Sequence, residues 1–165
     1  MAKNHFAVML RRLLLILFGK LFRVESLPAN VASAEGFTRF LLQSSLFARE
    51  TGRVKPPALM PSYNKDKGRL ETSIHRTDGM RPDEIWALGY HYVENLAARR
   101  RIQARASGVA SVVTGQGLQF DVNGDPYPRH VDIVGWPPDE KHQRMMKATE
   151  IARGMRLEMD PRQPG

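Results

Sequence analysis

The stretch Arg69-Leu-Glu-Thr-Ser-Ile-His-Arg76, followed by Thr-Asp-Gly-Met-Arg and then by Pro82-Asp-Glu84, decides the fold. Apolar and polar side chains alternate along its first part, which is typical of a half-buried strand. The predicted faces carry Leu70, Thr72 and Ile74 on one side and Glu71, Ser73 and His75 on the other. Asp-Gly at 78–79 predicts a turn, and a proline followed by two acids suits the first turn of a helix. The stretch therefore predicts a strand, a turn and a helix in succession.

The helix that begins at Pro82 has the clearest periodicity in the chain. Its apolar side chains recur at the i, i+3, i+4 and i+7 positions of one helical face. They are Ile85, Leu88, Gly89, Tyr92, Val93 and Leu96. The pattern continues to the arginines at 99–101, whose charge would stabilise the partially negative end of the helix.

The residues before this stretch predict a helix and then an irregular segment. Apolar side chains between Phe37 and Ala48 have the spacing of a short helix that ends before Gly52. The prolines within 56–61 prevent regular helix, and the polar residues 64–68 predict an exposed loop.

The residues after it predict three further strands and a last helix. The strands are expected at Ile102–Val113, Leu118–Val122 and His130–Trp136, and the helix after Pro137-Pro138-Asp139-Glu140. This order predicts an α+β fold with a largely antiparallel sheet of about four strands, covered by two or three helices. We expect one domain over 37–157 and a frayed tail over 158–165.

Residues 1–36 predict a basic, apolar N-terminal segment and a linker. The longest uninterrupted apolar run, Leu13–Phe18, is far shorter than the roughly 20 residues that cross a bilayer. Helical spacing over residues 6–23 fits a basic amphipathic helix that anchors the chain on a membrane surface. A signal peptide, a terminal helix that packs on the domain and upstream sequence joined by a misplaced start codon are the other interpretations.

Composition narrows the classes of function. The 165 residues suffice for one ordinary domain, and the absence of cysteine excludes thiol nucleophiles, iron–sulfur clusters and thiolate zinc sites. The formal charge of +8 favours an anionic partner. Residues 1–60 hold nine basic and three acidic side chains, whereas residues 61–165 hold sixteen and fourteen. We expect a cytoplasmic protein, with export and a peripheral membrane location left open.

Basic side chains form the first candidate site. The residues predicted to contact nucleic acid are Arg99, Arg100, Arg101, Arg105, Lys55, Lys65 and Lys67. Arginine and lysine bind phosphates, and exposed tyrosines such as Tyr63 or Tyr90 could stack on bases. The alternative is stabilisation of a helix end together with solvated charge, which needs no partner.

His75, His130 and Asp132 form a second, weaker candidate. His130 and Asp132 lie two positions apart on one predicted strand and so point to the same face, and His75 lies on another strand. Convergence of the three could support acid–base chemistry or bind a divalent metal. Because HExxH, GxSxG and Walker motifs are absent, the simpler interpretation is a surface pair.

Asp121, Asn123 and Asp125 have the spacing of the first ligands of a calcium loop. Such a loop needs glycine at its sixth position, where this chain has Pro126, and its twelfth position holds Asp132 instead of glutamate. Asn-Gly between apolar strands is a strong hairpin signal. The sequence therefore favours a turn over a calcium site.

The sequence as a whole predicts a small, non-enzymatic accessory protein that binds nucleic acid or a protein complex through a basic surface. The first alternative is a metal-dependent hydrolase or nuclease that uses His75, His130 and Asp132. The second is a peripheral membrane protein anchored by residues 6–23. We expect no cofactor, since no nucleotide- or cofactor-binding motif is present.

Overall fold

The structure is a computed structural model that describes residues 27–95 and 97–163. The strands are β1 Gly36–Leu41, β2 Phe47–Ala48, β3 Arg53–Val54, β4 Ser62–Asn64, β5 Arg69–Arg76, β6 Ala104–Val109, β7 Gln119–Asp121, β8 His130–Val134 and β9 Arg156–Met159. The α-helices are α1 Pro82–Tyr92, α2 Ser111–Thr114 and α3 Lys141–Arg153. Short 3₁₀ turns lie at Ser44–Leu46 and Pro56–Ala58.

Seven of these strands form one antiparallel sheet, ordered β7-β8-β5-β1-β6-β9 with β4 also paired to β5. Strands β2 and β3 form a separate hairpin. The α+β class and the antiparallel sheet are confirmed, and the sheet has more strands than the four that the sequence predicts. The strand predicted at 69–76 lies within this sheet, but it is not half-buried, because Glu71 and His75 on its polar face are buried as well.

The two faces of the sheet are covered by different helices. On one face Ile74, Val131 and Ile133 share a buried core with Ala148 and Ile151 of α3. On the other, α1 buries Trp86 and Leu88 against the following sheet and loop side chains: Phe40, Ile102 and Tyr127. Because neighbouring residues of a strand point to opposite faces, Ser73 and His75 lie on the α1 face.

The short helix predicted between Phe37 and Ala48 is wrong. Gly36–Leu41 is a strand, and β5 and β6 flank it. Phe37 and Leu41 are buried in the α3 core while Phe40 is buried under α1. A strand covered on both faces has a near-continuous apolar run instead of an alternation, and such a run also satisfies helical spacing.

The predicted end of the first long helix also differs from the structure. Helix α1 ends at Tyr92, not at the arginines, and Asn95 and Arg100 then pair across a tight loop. The strand predicted at Ile102–Val113 divides into β6 and the short helix α2. The last two predicted strands and the last predicted helix are present as β7, β8 and α3.

Both ends of the described chain are attached to the fold. The frayed tail predicted from residue 158 is wrong for residues 158–160, because β9 continues to Met159 and Asp160 is buried. The Tyr90 hydroxyl donates to Asp160 at 2.7 Å. Near the other end, within the predicted linker, Glu35 forms a buried ion pair with Arg76. Residues 1–26 lie outside the described part of the chain.

Candidate functional site

The structure brings His75, His130 and Asp132 together on the face of the sheet that carries α1. Pairing of β5 with β8 sets His75 opposite His130 and Ser73 opposite Asp132. The two imidazole centroids are 5.9 Å apart, and Nε2 of His130 is 3.7 Å from Oδ1 of Asp132. The register of β5 against β8, which local sequence patterns do not reveal, creates this cluster.

Asp132 is the centre of the cluster and is almost fully buried. Its Oδ1 accepts a hydrogen bond from Ser73 Oγ at 3.1 Å, and its Oδ2 accepts from Lys67 Nζ at 2.8 Å and from Asn123 Nδ2 at 3.5 Å. Burial by itself raises the pKa of Asp132, but the Lys67 hydrogen bond and the charge of His130 outweigh it and hold that pKa below its usual range. The carboxylate is therefore ionised and paired.

His75 is held neutral in the interior. Burial lowers its pKa to about 3, and the neighbouring charges of His130 and Arg39 act in the same direction. Nδ1 of His75 is hydrogen-bonded to the Tyr127 hydroxyl, whose own pKa is raised by burial. A neutral imidazole that accepts from a protonated phenol stabilises the fold and does not exchange protons near pH 7.

His130 carries an unsatisfied polar atom inside the described part of the fold. Nδ1 of His130 is buried and has no hydrogen-bond partner within 27–95 and 97–163. A buried acceptor without a partner costs free energy unless a bound group supplies a donor. Within the same described ranges, no group of three or more His, Cys, Asp or Glu side chains could hold a metal ion.

Two of the predicted calcium ligands, Asp121 and Asn123, have their side chains engaged within the chain. Asp121 is paired with Arg69, and Asn123 donates its amide to Asp121 at 3.4 Å. Oδ1 of Asn123 accepts the backbone N–H of Asp125 at 3.0 Å, the contact of an Asx turn. This geometry agrees with the turn that the sequence favours.

Two of the predicted nucleic-acid contacts, Arg105 and Lys67, form ion pairs with other residues of the chain. Arg105 is buried, donates to Glu158 at 2.7 Å and lies over the Trp86 ring at 4.7 Å from its centroid. Lys67 is bound to Asp132 as described above. Arg105 therefore cannot reach a phosphate, because its guanidinium stabilises the packing of α1 and β9 on the sheet.

Arg99, Arg100 and Arg101, here named the arginine loop, are exposed. None of the three side chains forms an ion pair with another residue in the described part of the chain. Backbone hydrogen bonds of 3.0 and 2.9 Å join Asn95 and Arg100 in both directions. Arg99, directly before the bridged Arg100, adopts a left-handed conformation with φ of 54°. Lys55 and Lys65 are also exposed.

An aromatic stack connects α1 with the histidine cluster. Tyr92, the last residue of α1, stacks on Tyr127 with centroids 3.9 Å apart and an interplanar angle of 16°. Tyr127 in turn stacks on His75 at 5.7 Å. Sequence reasoning treated Tyr92 as a core residue and passed over Tyr127; the prolines on both sides of Tyr127 were a signal of a rigid loop.

The chain matches no protein-family model, no curated protein and no solved structure in the comparisons made with each. Among the described residues, no helix has the length and apolar character that crossing a membrane requires. The membrane anchor predicted at residues 6–23 lies outside those residues and stays a prediction.

Proposed function

We propose that this protein is a non-catalytic binding protein that contacts nucleic acid through the arginine loop. The observation that carries the proposal is the state of Arg99, Arg100 and Arg101. All three guanidinium groups are solvent-exposed and unpaired among the described residues, although many other charged side chains of the domain are neutralised internally. Unpaired arginines that project from an ordered loop suit contact with a phosphate backbone.

The shape of the loop supports the same proposal. The amide of Ala98 donates to Asn95 Oδ1 at 3.0 Å, and the amide of Ile102 donates to Glu94 Oε1 at 3.0 Å. Glu94 is itself held by Arg162. Because the loop backbone is held at both ends, the cost of ordering it on binding is small.

Salt dependence tests the proposal. Purified protein is titrated into a fluorescently labelled single-stranded oligonucleotide at several salt concentrations, and anisotropy gives Kd. If each of the three arginines neutralises one phosphate, log K should fall with log salt with a slope of about 2 in magnitude. The Arg100→Glu, Arg101→Glu variant should lose most of the affinity and most of that slope.

A matched control separates local contact from net charge. The Lys141→Glu, Arg156→Glu variant changes net charge by the same amount at two other exposed sites and should bind within about twofold of the parent. Equal losses in both variants, or binding that salt does not affect, would contradict the proposal. Absence of nucleic-acid binding would leave a protein complex as the partner class.

The enzyme alternative is supported by one observation, the unpaired Nδ1 of His130 beside the Asp132 carboxylate. An imidazole whose other nitrogen faces a carboxylate is the arrangement of a general base. The same oligonucleotide, incubated with Mg²⁺ or with a chelator, reports this activity on a gel. Cleavage that needs His130 and Asp132 would replace the binding proposal with a nuclease.

A further inference from the structure

We infer that Tyr92 is a base-stacking platform and that the nucleic acid bound beside the arginine loop is single-stranded. This inference rests on the proposed function and adds the class of ligand to it. Tyr92 is one of the few large hydrophobic side chains that the described chain leaves in solvent, with 41% of its surface exposed.

Tyr92 is supported from beneath by fixed groups. Its ring rests on the buried Tyr127, whose hydroxyl is bonded to the buried His75. His91 lies against Tyr92 edge-on, with centroids 4.5 Å apart and an interplanar angle of 87°. A ring held in this way loses little side-chain entropy when a base stacks on it.

Tyr92 also lies close to the arginine loop. Glu94 follows it by two residues, which span at most about 7 Å. Oε1 of Glu94 accepts the backbone N–H of Ile102, the residue directly after Arg101. A short strand whose base stacks on Tyr92 can therefore extend its phosphates towards the arginines.

The combination of an aromatic ring and unpaired arginines selects an unpaired strand. Base faces are accessible to a side chain only when they are not stacked inside a duplex. Proteins that bind single strands combine basic grooves with aromatic residues on which successive bases stack. A duplex could contact the arginines but could not use Tyr92, so the ring should add affinity for single strands alone.

The test compares the full-length protein and its variants on three ligands by fluorescence anisotropy. The ligands are a single-stranded thymidine oligonucleotide of about 12 nucleotides, which is within the usual site sizes, a blunt-ended two-stranded duplex of similar charge, and an abasic strand of the same length. Tyr92→Ala should weaken single-strand binding at least about fivefold, the lower end of the range for base–aromatic stacking, and leave duplex binding within about twofold. Tyr92→Phe should bind like the parent.

Tyr63, on β4, supplies the matched control because it is exposed to a greater extent, at 62%. Tyr63→Ala should leave the affinity unchanged. The abasic strand tests the inference with the unaltered protein, so a folding defect in Tyr92→Ala cannot hide the answer: the abasic strand should bind at least about fivefold more weakly than the thymidine strand.

Three results would overturn the inference: Tyr92→Ala binding like the parent, Tyr63→Ala losing as much affinity, or the abasic strand binding as tightly as the thymidine strand. If binding still depends on the arginine loop, only the stacking role of Tyr92 fails. If the parent protein binds none of the three ligands, the proposed function fails with it.

Discussion

Acid should destabilise this protein through His75 at a pH where its carboxylates are still ionised. The pKa of His75 is lowered by burial from 6.5 to about 3. The imidazole therefore binds a proton more weakly in the folded state than in the unfolded chain. Between these two values the unfolded state binds more protons than the folded state, and stability rises with pH. The contribution of the neutral, buried His75 to the free energy of unfolding is therefore complete above pH 6.5 and is lost as pH falls towards 3.

The magnitude follows from the two pKa values. At pH 5 the unfolded chain gains about 2 kcal/mol from protonating His75, while the folded chain gains almost nothing. The full shift corresponds to about 5 kcal/mol below pH 3. The lowered pKa values of Asp132 and Asp160 act near and below their ordinary value of 3.8, and that of Glu94 acts near and below 4.5. Between pH 8 and pH 5 these carboxylates therefore contribute much less than His75 to the change in stability.

Urea unfolding at pH 5 and pH 8 measures this loss, with the fluorescence of the buried Trp86 and Trp136 as the signal. His75→Phe keeps an aromatic ring in the stack but cannot titrate. Its free energy of unfolding should be lower than the parent's at pH 8, because Tyr127 loses its acceptor, yet its loss between pH 8 and pH 5 should shrink by about 2 kcal/mol. His142→Gln, at an exposed position on α3, should keep the parent's loss. An unchanged loss in His75→Phe would refute the reasoning.

Two further changes test the packing around the site. Glu35→Gln should lower the free energy of unfolding by about 3–5 kcal/mol in urea titrations, since it leaves the Arg76 guanidinium buried without a compensating negative charge. A loss below about 1 kcal/mol would mean that water reaches Arg76. Gly89→Ala should lower Tm, because the added Cβ would lie 2.5 Å from Cε1 of Phe40. Overpacking of this kind costs about 1–3 kcal/mol, which exceeds the gain of about 1 kcal/mol in helix propensity. A raised Tm would show that Phe40 moves aside at little cost.

Local pattern was sufficient where apolar and polar side chains separate onto two faces of an element. The alternation at 69–76 and the proline-led starts of α1 and α3 needed no tertiary information, because their apolar side chains recur with the period of the element. Only the structure shows that Glu71 and His75, on the polar face of β5, are buried as well. The pattern failed at β1, which is buried on both faces, and at the end of α1, where a bridged loop replaced the last predicted turns.

In the candidate site, too, local pattern predicted some features and tertiary packing decided the others. Sequence identified the arginines at 99–101 and the pair His130 and Asp132 by type and spacing. Only the pairing of β5 with β8 placed His75 and Ser73 beside that pair, and only packing buried Arg105 beneath Trp86. Burial and partners depend on residues far apart in the chain, so local spacing could not separate the arginines that face solvent from the one that is enclosed.

The amino-acid sequence by itself determined the α+β class, the antiparallel sheet and the positions of the chemically active side chains, because periodicity and turn chemistry are local properties. The tertiary structure decided which of those side chains meet, which are neutralised and which stay in solvent. Those outcomes depend on strand register and on the exclusion of water, and both are set by contacts between distant residues.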